Sequence, residues 1–204
     1  MSGYGRVILE DAAVEGERVS LRPISKQDAR ACFDLVHGVD AITYWTEWDG
    51  PESVEEVEEH YSEWPLEGDE LSNYTFAIID KGSGDWAGSI SLRHRKGEPA
   101  AGLGYLVGVP YQGRGLCSEA VRLIVQLAFQ ALEVLLVEAE LFAENAASRR
   151  ILEKVGMQRD ERGDELYEKR GVERMSHLYS ISRVSWELQS DPRGVWEIQS
   201  SRLD

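Results

Sequence analysis

Several short segments of the chain either alternate apolar and polar residues or are rich in β-branched and aromatic residues, which predicts β-strands. The first segment covers residues 18–24, and four more cover residues 74–80, 86–93, 101–108 and 135–142. Two further long strands are predicted between residues 157 and 187, with Gly171 as the turn between them. The pattern therefore predicts a sheet of about seven strands.

Apolar residues at helical spacing, preceded by N-cap residues, predict about four helices. Ser25 with Asp28 and Ser53 with Glu56 resemble the capping boxes that open the first two helices, the first of which is expected to end near Gly38. The face of the second helix comprises Val54, Val57, Tyr61 and Trp64. The face of the third helix comprises Leu116, Ala120, Leu123, Ile124, Leu127, Ala128 and Ala131. Asn145 caps the fourth helix and Gly156 ends it.

The order of these elements predicts how the strands pair. Three successive strands between residues 74 and 108 have no helix between them, which indicates an antiparallel meander. A helix connects the fourth strand to the fifth, so these two should be parallel. Residues 1–16 show no clear period and are expected to be a lead-in, and residues 189–204 an extension. A length of 204 residues suits one domain.

Composition narrows the possible functions. The chain is 42% hydrophobic and 29% charged and has no run of about 18 apolar residues, so a soluble protein is expected, with no membrane partner. Its amino end lacks the layout of a signal peptide, and we expect a cytoplasmic location. Two cysteines and four scattered histidines indicate neither a disulfide framework nor a metal site. A net charge of -15 argues against nucleic acid as a partner and favours cationic partners, although it also serves solubility.

A glycine-rich turn at residues 112–117 joins the fourth strand to the third helix. The first turn of a helix has N–H groups without partners and a partial positive charge, and both suit a phosphate. Gly113 and Gly115 permit close backbone approach, and Arg114 adds a fixed charge. Neither the mononucleotide loop G-x-x-x-x-G-K-[ST] nor the dinucleotide pattern G-x-G-x-x-G is present, since Ser118 stands where the latter needs glycine. The alternatives are another type of phosphate cradle and a simple connection.

Two motifs resemble the GNAT acetyltransferase superfamily. Residues 104–107 followed by 111–120 resemble its acyl-CoA loop, Q/R-x-x-G-x-G/A, with Gln112 and Gly115 matching and Cys117 replacing the last glycine or alanine. Residues 145–157 resemble the N-x-x-S-x-x-x-x-E-K-x-G-F ending of the ribosomal-protein N-terminal acetyltransferase branch. The resemblance covers roughly residues 18–188. It implies an α+β fold of mixed α/β type, with one twisted and mostly antiparallel sheet whose fourth and fifth strands splay apart.

The resemblance also implies acetyl-CoA as the cosubstrate. Its pantetheine arm would lie along Tyr105, Leu106 and Val107 of the fourth strand, and Asn145 would contact the same arm in addition to capping its helix. The diphosphate would bind to a run of six residues in the turn: Gln112, Gly113, Arg114, Gly115, Leu116 and Cys117.

Attack of an amine on a thioester requires removal of a proton from the amine and donation of a proton to the departing thiolate. Many family members use a tyrosine seven residues after the asparagine, where this chain has Leu152. The resemblance assigns the donation to Ser148 instead, although a serine in a helix can also bond to a backbone carbonyl. No base stands out, and Glu140, Glu47 and His94 are the candidates. Water-mediated deprotonation would need none of them.

Acidic and aromatic residues between the first two helices are candidates for binding the amine acceptor. Trp45, Trp48 and Asp49 could do so by cation–π contact and charge attraction, or the tryptophans could serve only packing. The sequence favours an N-acetyltransferase acting on a protein N-terminus of the ribosomal-protein type, by direct attack in a ternary complex. The alternatives are a polyamine or aminoglycoside acetyltransferase and a catalytically silent acyl-CoA-binding module. A monomer or homodimer is expected.

Overall fold

A computed structural model of the protein describes residues 12–62, 66–67, 71–132, 134–189 and 198–200. Six α-helices lie within these ranges: α1 Ala29–Val36, α2 Asp40–Thr43, α3 Val54–Ser62, α4 Leu116–Ala131, α5 Ala146–Val155 and α6 Arg183–Gln189. The strands are β1 Ala12–Glu15, β2 Val19–Pro23, β3 Leu66–Glu67, β4 Leu71–Asp80, β5 Trp86–Arg95, β6 Ala100–Val107, β7 Leu136–Phe142, β8 Gln158–Lys169, β9 Val172–Ser182 and β10 Ile198–Ser200. Short 3₁₀ turns occupy Lys26–Asp28 and Val109–Tyr111.

All ten strands belong to one sheet in the order β10-β1-β2-β4-β5-β6-β7-β9-β8, with β3 paired to β4. The predicted meander is confirmed, since β4, β5 and β6 pair antiparallel. The predicted parallel pair is confirmed as well, because β6 and β7, which α4 connects in the chain, pair in parallel. Seven strands match the prediction, and β1, β3 and β10 are additional. These three are too short to show a period in the sequence, and β1 lies in the expected lead-in.

The two faces of the sheet bury separate hydrophobic clusters. The larger cluster lies under α4 and α5 and includes Leu123, Ile124 and Leu152, all fully buried. The smaller cluster lies under α1 and α3 and includes Cys32 and Val57. Successive strand residues point to opposite faces, so β4 contributes Phe76 and Ile78 to the larger cluster and Ala77 to the smaller one.

The helix boundaries confirm most of the predicted caps. The backbone N–H of Ser25 donates to Asp28 (2.9 Å), and the backbone N–H of Glu56 donates to the hydroxyl of Ser53 (3.1 Å). The Asn145 side chain accepts from the backbone of Ser148 (3.0 Å), and Gly156 ends α5 with φ 94°. Trp64 lies outside the described residues.

The prediction that the last long strand continues to residue 187 is wrong, because β9 ends at Ser182 and helix α6 follows. The Ser182 hydroxyl accepts from the backbone N–H of Ser185 (3.1 Å), which is the geometry of an N-cap. The Arg183 guanidinium donates to the carbonyls of Phe129 (2.5 Å) and Leu132 (3.1 Å), where α4 ends. A cation at a helix C-terminus is favourable, so this contact stabilises the turn out of the sheet.

The sheet opens between β6 and β7. These strands pair only through Ala100 with Leu136, Ala101 with Val137 and Gly102 with Glu138. Beyond Gly102 the outer half of β6 keeps its pairing with β5 as far as Val107, and β7 keeps its pairing with β9 as far as Phe142. Backbone groups on the facing edges of the two strands are therefore free to bind a ligand.

Candidate active site

A cleft of about 980 Å³ lies in the opening between β6 and β7. Its lining includes fourteen of the residues singled out from the sequence: Trp45, Glu47, Trp48, Tyr105, Leu106, Val107, Gln112, Gly113, Gly115, Leu116, Cys117, Glu140, Asn145 and Ser148. Residues far apart in the chain thus meet in one place. Arg114 and Asp49 do not line the cleft.

The glycine turn has the backbone conformation that its composition predicts. Gly113 and Gly115 have φ values of 73° and 81°, in the left-handed region that side chains other than glycine adopt at a cost. Gly115 is also the N-cap of α4, so the free N–H groups of a helix of sixteen residues face the mouth of the cleft. The Gln112 side chain donates to the Val107 carbonyl (3.0 Å) and ties the turn to the end of β6.

Arg114 is turned toward the β4–β5 hairpin. Its guanidinium pairs with Asp80 (2.8 Å), whose side chain is 2% exposed. The backbone N–H of Gly82, together with Arg114, holds the pKa of Asp80 below its usual range. Arg114 therefore ties the hairpin to the glycine turn. Its side chain does not line the cleft, so the turn faces the cleft with backbone groups and not with the Arg114 charge.

One face of the opening, on the side of α4 and α5, presents hydroxyl and thiol groups. The Tyr105 hydroxyl lies 2.7 Å from the Ser148 hydroxyl, and the backbone of Ser148 is held by the Asn145 cap. Burial raises the pKa of Tyr105 above its usual range, so its phenol stays protonated. Burial raises the pKa of the neighbouring Cys117 thiol to about 12. These hydroxyl and thiol groups are neutral and can donate hydrogen bonds into the cleft.

The other face of the opening is acidic. Glu138 and Glu140 alternate with the buried residues Val137, Ala139 and Leu141, so both carboxylates point away from α4 and α5. Burial raises the pKa of Glu138, and the negative charges of Asp160 and Glu140 raise it further. Glu138 was missed in the sequence, although the alternation along β7 places it on the same face as Glu140.

Tyr167 of β8 completes the acidic face. Its hydroxyl donates to Glu140 (3.1 Å) and lies 3.3 Å from Glu165. Burial, followed by the charge of Glu140, raises the pKa of Tyr167 to about 12. No sequence signal indicated Tyr167, because β8 reaches the cleft only through its pairing with β9.

The aromatic loop after α2 is fixed by two buried cations. The Arg174 side chain is 5% exposed and lies over the rings of Phe142 (3.9 Å), Tyr44 (4.3 Å) and Trp45 (5.3 Å). It also donates to the Tyr44 carbonyl (2.6 Å). The aromatic surface near Trp45, expected from the sequence to receive an amine, is therefore in contact with a cation of the protein itself.

Lys169 fixes the far end of the same loop. Its ammonium group donates to the carbonyls of Glu47 (3.0 Å) and Trp48 (3.1 Å) and pairs with Asp49 (2.6 Å). Lys169, together with Arg170, lowers the pKa of Asp49. Trp48 remains 40% exposed at the cleft, whereas the charge of Asp49 is balanced within the protein.

His94, the remaining candidate base, lies outside the cleft. His94 contacts the Glu98 carbonyl (3.2 Å) in the β5–β6 turn and does not line the cleft.

Within the part of the chain that the structure describes, no group of three or more metal-ligating side chains occurs. Among the helices of the same residues, none is long and apolar enough to cross a membrane.

A mixed sheet that splays between two parallel strands, with a glycine turn and a helix N-terminus at the opening, is the fold of acyl-CoA-dependent N-acetyltransferases. The sequence profile of the acetyltransferase (GNAT) domain matches residues 18–158. The chain therefore belongs to the GNAT acetyltransferase family.

Individual relatives agree with the family. The probable N-acetyltransferase YjcK of Bacillus subtilis (strain 168) is 29% identical over 159 residues, 72% of this chain and 84% of that protein. RimJ of Mycobacterium smegmatis, solved in complex with CoA-disulfide, has a TM-score of 0.73 at 22% identity and covers 89% of this chain and 90% of its own. Spermidine N-acetyltransferase of Vibrio cholerae, solved with CoA and spermine, has a TM-score of 0.73 at 16% identity and covers 84% of this chain and 99% of its own.

Proposed function

We propose that this acetyltransferase transfers an acetyl group from acetyl-CoA to a primary amine of a protein N-terminus, by direct attack in a ternary complex. The observation that carries the proposal is the division of the cleft, with the hydroxyl of Ser148 on one face and the carboxylate of Glu140 on the other. Direct transfer needs a proton donor near the sulfur of the cofactor and a proton acceptor near the amine. The opening between β6 and β7 lies between Ser148 and Glu140, which suit these two roles.

The residues of the glycine turn fit the diphosphate of CoA. The left-handed glycines and the free N–H groups at the start of α4 form a cradle for an anion. Gln112 fixes the start of the turn through its bond to Val107, and Leu116 and Cys117 lie in the first turn of α4. The backbone of Tyr105, Leu106 and Val107, on the edge of β6 that β7 leaves open, would hold the pantetheine arm next to Asn145. Acetyl-CoA supplies an activated acetyl group when bound there.

In this proposal, side chains on opposite faces of the cleft handle the protons. Glu140 accepts the proton of the incoming amine, while the hydrogen bond from Tyr167 orients its carboxylate. Glu47 and Trp48 border the entry for the amine. Ser148 donates a hydrogen bond to the departing sulfur. The departure from the family pattern at Leu152 is then without consequence, since Leu152 is fully buried in the core.

A polyamine acceptor is the second candidate. Glu138 and Glu140 put two carboxylates side by side on the acceptor face, and this arrangement suits a molecule with more than one positive charge. A protein N-terminus needs only one of them.

Calorimetry with CoA tests the cofactor part of the proposal. We expect binding by the wild type and its loss in Gly115→Val, because valine strongly disfavours φ 81° at the cradle. Gly97→Val is the matched control, since Gly97 has φ 85° in the distant β5–β6 turn, and it should bind CoA normally. Absence of heat with millimolar CoA and wild-type protein would overturn the proposal.

Release of free thiol from acetyl-CoA tests the acceptor. Peptides with free N-termini, the same peptides with blocked N-termini, and spermidine form the panel. We expect turnover with the free peptides, and turnover only with spermidine would favour the second candidate. Glu140→Gln and Ser148→Ala should each lower kcat by roughly 100-fold while CoA still binds. Binding without turnover on any amine would indicate a silent acyl-CoA-binding module.

A further inference from the structure

In the proposed function Tyr105 holds CoA through its backbone, and its side chain is not used. That side chain nevertheless makes a short contact in the cleft. Its hydroxyl lies 2.7 Å from that of Ser148, across the opening of the sheet from β6 to α5. Its ring packs against the larger hydrophobic cluster, and Ser148 is held by the Asn145 cap. Both partners are therefore fixed before any ligand arrives.

The direction of this hydrogen bond follows from the chemistry of the two hydroxyls. A serine hydroxyl carries a single proton and can accept a second hydrogen bond through its lone pairs. If Ser148 directs its proton to sulfur, it has none left for Tyr105, so Tyr105 must be the donor. Burial raises the pKa of the phenol, which keeps its proton at neutral pH and can serve as that donor.

We propose that Tyr105 is a positioning residue whose hydroxyl donates to the Ser148 hydroxyl and thereby aims the Ser148 proton into the cleft. The inference rests on the proposed function, because it acts through the hydrogen bond from Ser148 to sulfur. A hydroxyl that accepts one hydrogen bond is polarised into a better donor of the next. No proton leaves Tyr105, and the phenol remains neutral throughout.

Kinetics of Tyr105→Phe in two backgrounds test the inference. The change removes only the hydroxyl, and we expect kcat to fall roughly three- to tenfold, the worth of one neutral hydrogen bond, with little change in KM for acetyl-CoA. In the Ser148→Ala background the same change should have no effect, since the residue it acts through is gone. An equal fall in both backgrounds, or no fall in either, overturns the inference.

Binding provides a readout without turnover. We expect the wild type to bind CoA more tightly than desulfo-CoA, which lacks the sulfur, when both are titrated by calorimetry above the pKa of the CoA thiol. Tyr105→Phe should reduce this preference roughly three- to tenfold and leave the affinity for desulfo-CoA unchanged. Tyr74→Phe is the control, because Tyr74 packs against the same cluster from β4 and does not line the cleft.

The outcomes separate the two proposals. If the wild type binds neither compound, the proposed function fails and the inference falls with it. If the wild type binds both compounds and Tyr105→Phe keeps the full preference for CoA, the inference alone is overturned. A changed affinity for desulfo-CoA would also overturn it, because Tyr105 would then act by holding the pantetheine arm.

Discussion

Replacement of Arg174 by methionine should loosen the aromatic loop and weaken the acceptor side of the cleft. The change keeps the apolar stem and removes the guanidinium, with its donation to the Tyr44 carbonyl (2.6 Å) and its contacts with the Phe142 and Tyr44 rings. A hydrogen bond from a charged donor and two partly buried cation–π contacts together amount to about 3 kcal/mol. The pair with Glu144 adds little, since that carboxylate is 59% exposed.

Urea denaturation measures the loss in free energy of unfolding. In a thermal melt, the same loss should lower the melting temperature of a protein of this size by roughly 6 to 12 °C. The KM for the amine should rise while the Kd for CoA stays constant, because the glycine turn lies on the other side of the opening. Arg30→Met is the control: the Arg30 side chain is 72% exposed and pairs with Asp34, so the change should lose less than about 0.5 kcal/mol. The reasoning is refuted if the two variants lose the same free energy of unfolding.

Three further predictions, two of them on substituted proteins, concern the fold and the titratable groups. The raised pKa of Glu138 means that the folded chain holds its proton more tightly than the unfolded chain, so this contribution to stability is present below about pH 4.5 and is lost as pH rises through the folded pKa. Glu138→Gln should therefore melt higher than the wild type at pH 7 and equally at pH 4. Burial raises the pKa of Cys32 and, to about 12, that of Cys117, so both thiols should react slowly with a disulfide reagent at pH 8 and rapidly once guanidinium unfolds the chain. Asp28→Asn should cost roughly 1 to 2 kcal/mol in a urea titration, because Asp28 is 4% exposed and accepts from Arg22 at 2.6 Å, while the Arg22 side chain is 43% exposed and stays solvated.

Local signals in the sequence were sufficient for most of the framework. The glycine turn, the Asn145 cap and the stop at Gly156 depend on the conformations of a few neighbouring residues, and all three appear in the structure. The parallel pairing of β6 and β7 follows from the helix between them. These features could be predicted because their causes lie within one element or one connection.

Contacts between distant segments could not be predicted in the same way. Nothing near Arg114 in the chain indicates that Asp80 will take its charge, since the two meet only when the β4–β5 hairpin folds against the turn. The aromatic residues near Trp45 appeared suited to a foreign amine, and their partner Arg174 lies on β9. Each of these partners is on a different element and more than 30 residues away in the chain. The end of β9 could not be predicted for a related reason, because the carbonyls that hold Arg183 belong to the end of α4.

The net charge of -15 also acquires a different meaning from the structure. A uniformly acidic surface would repel the phosphates of CoA as strongly as it attracts an amine. The lining of the cleft is instead mixed: Arg150 and Lys154 lie on exposed positions of α5, one turn apart on the Ser148 side, whereas Glu138 and Glu140 lie on the other side with one cation, Arg93. Because charges beyond about 8 Å are screened at physiological salt, we expect these local charges to affect ligand binding in the cleft more than the net charge of the whole chain does.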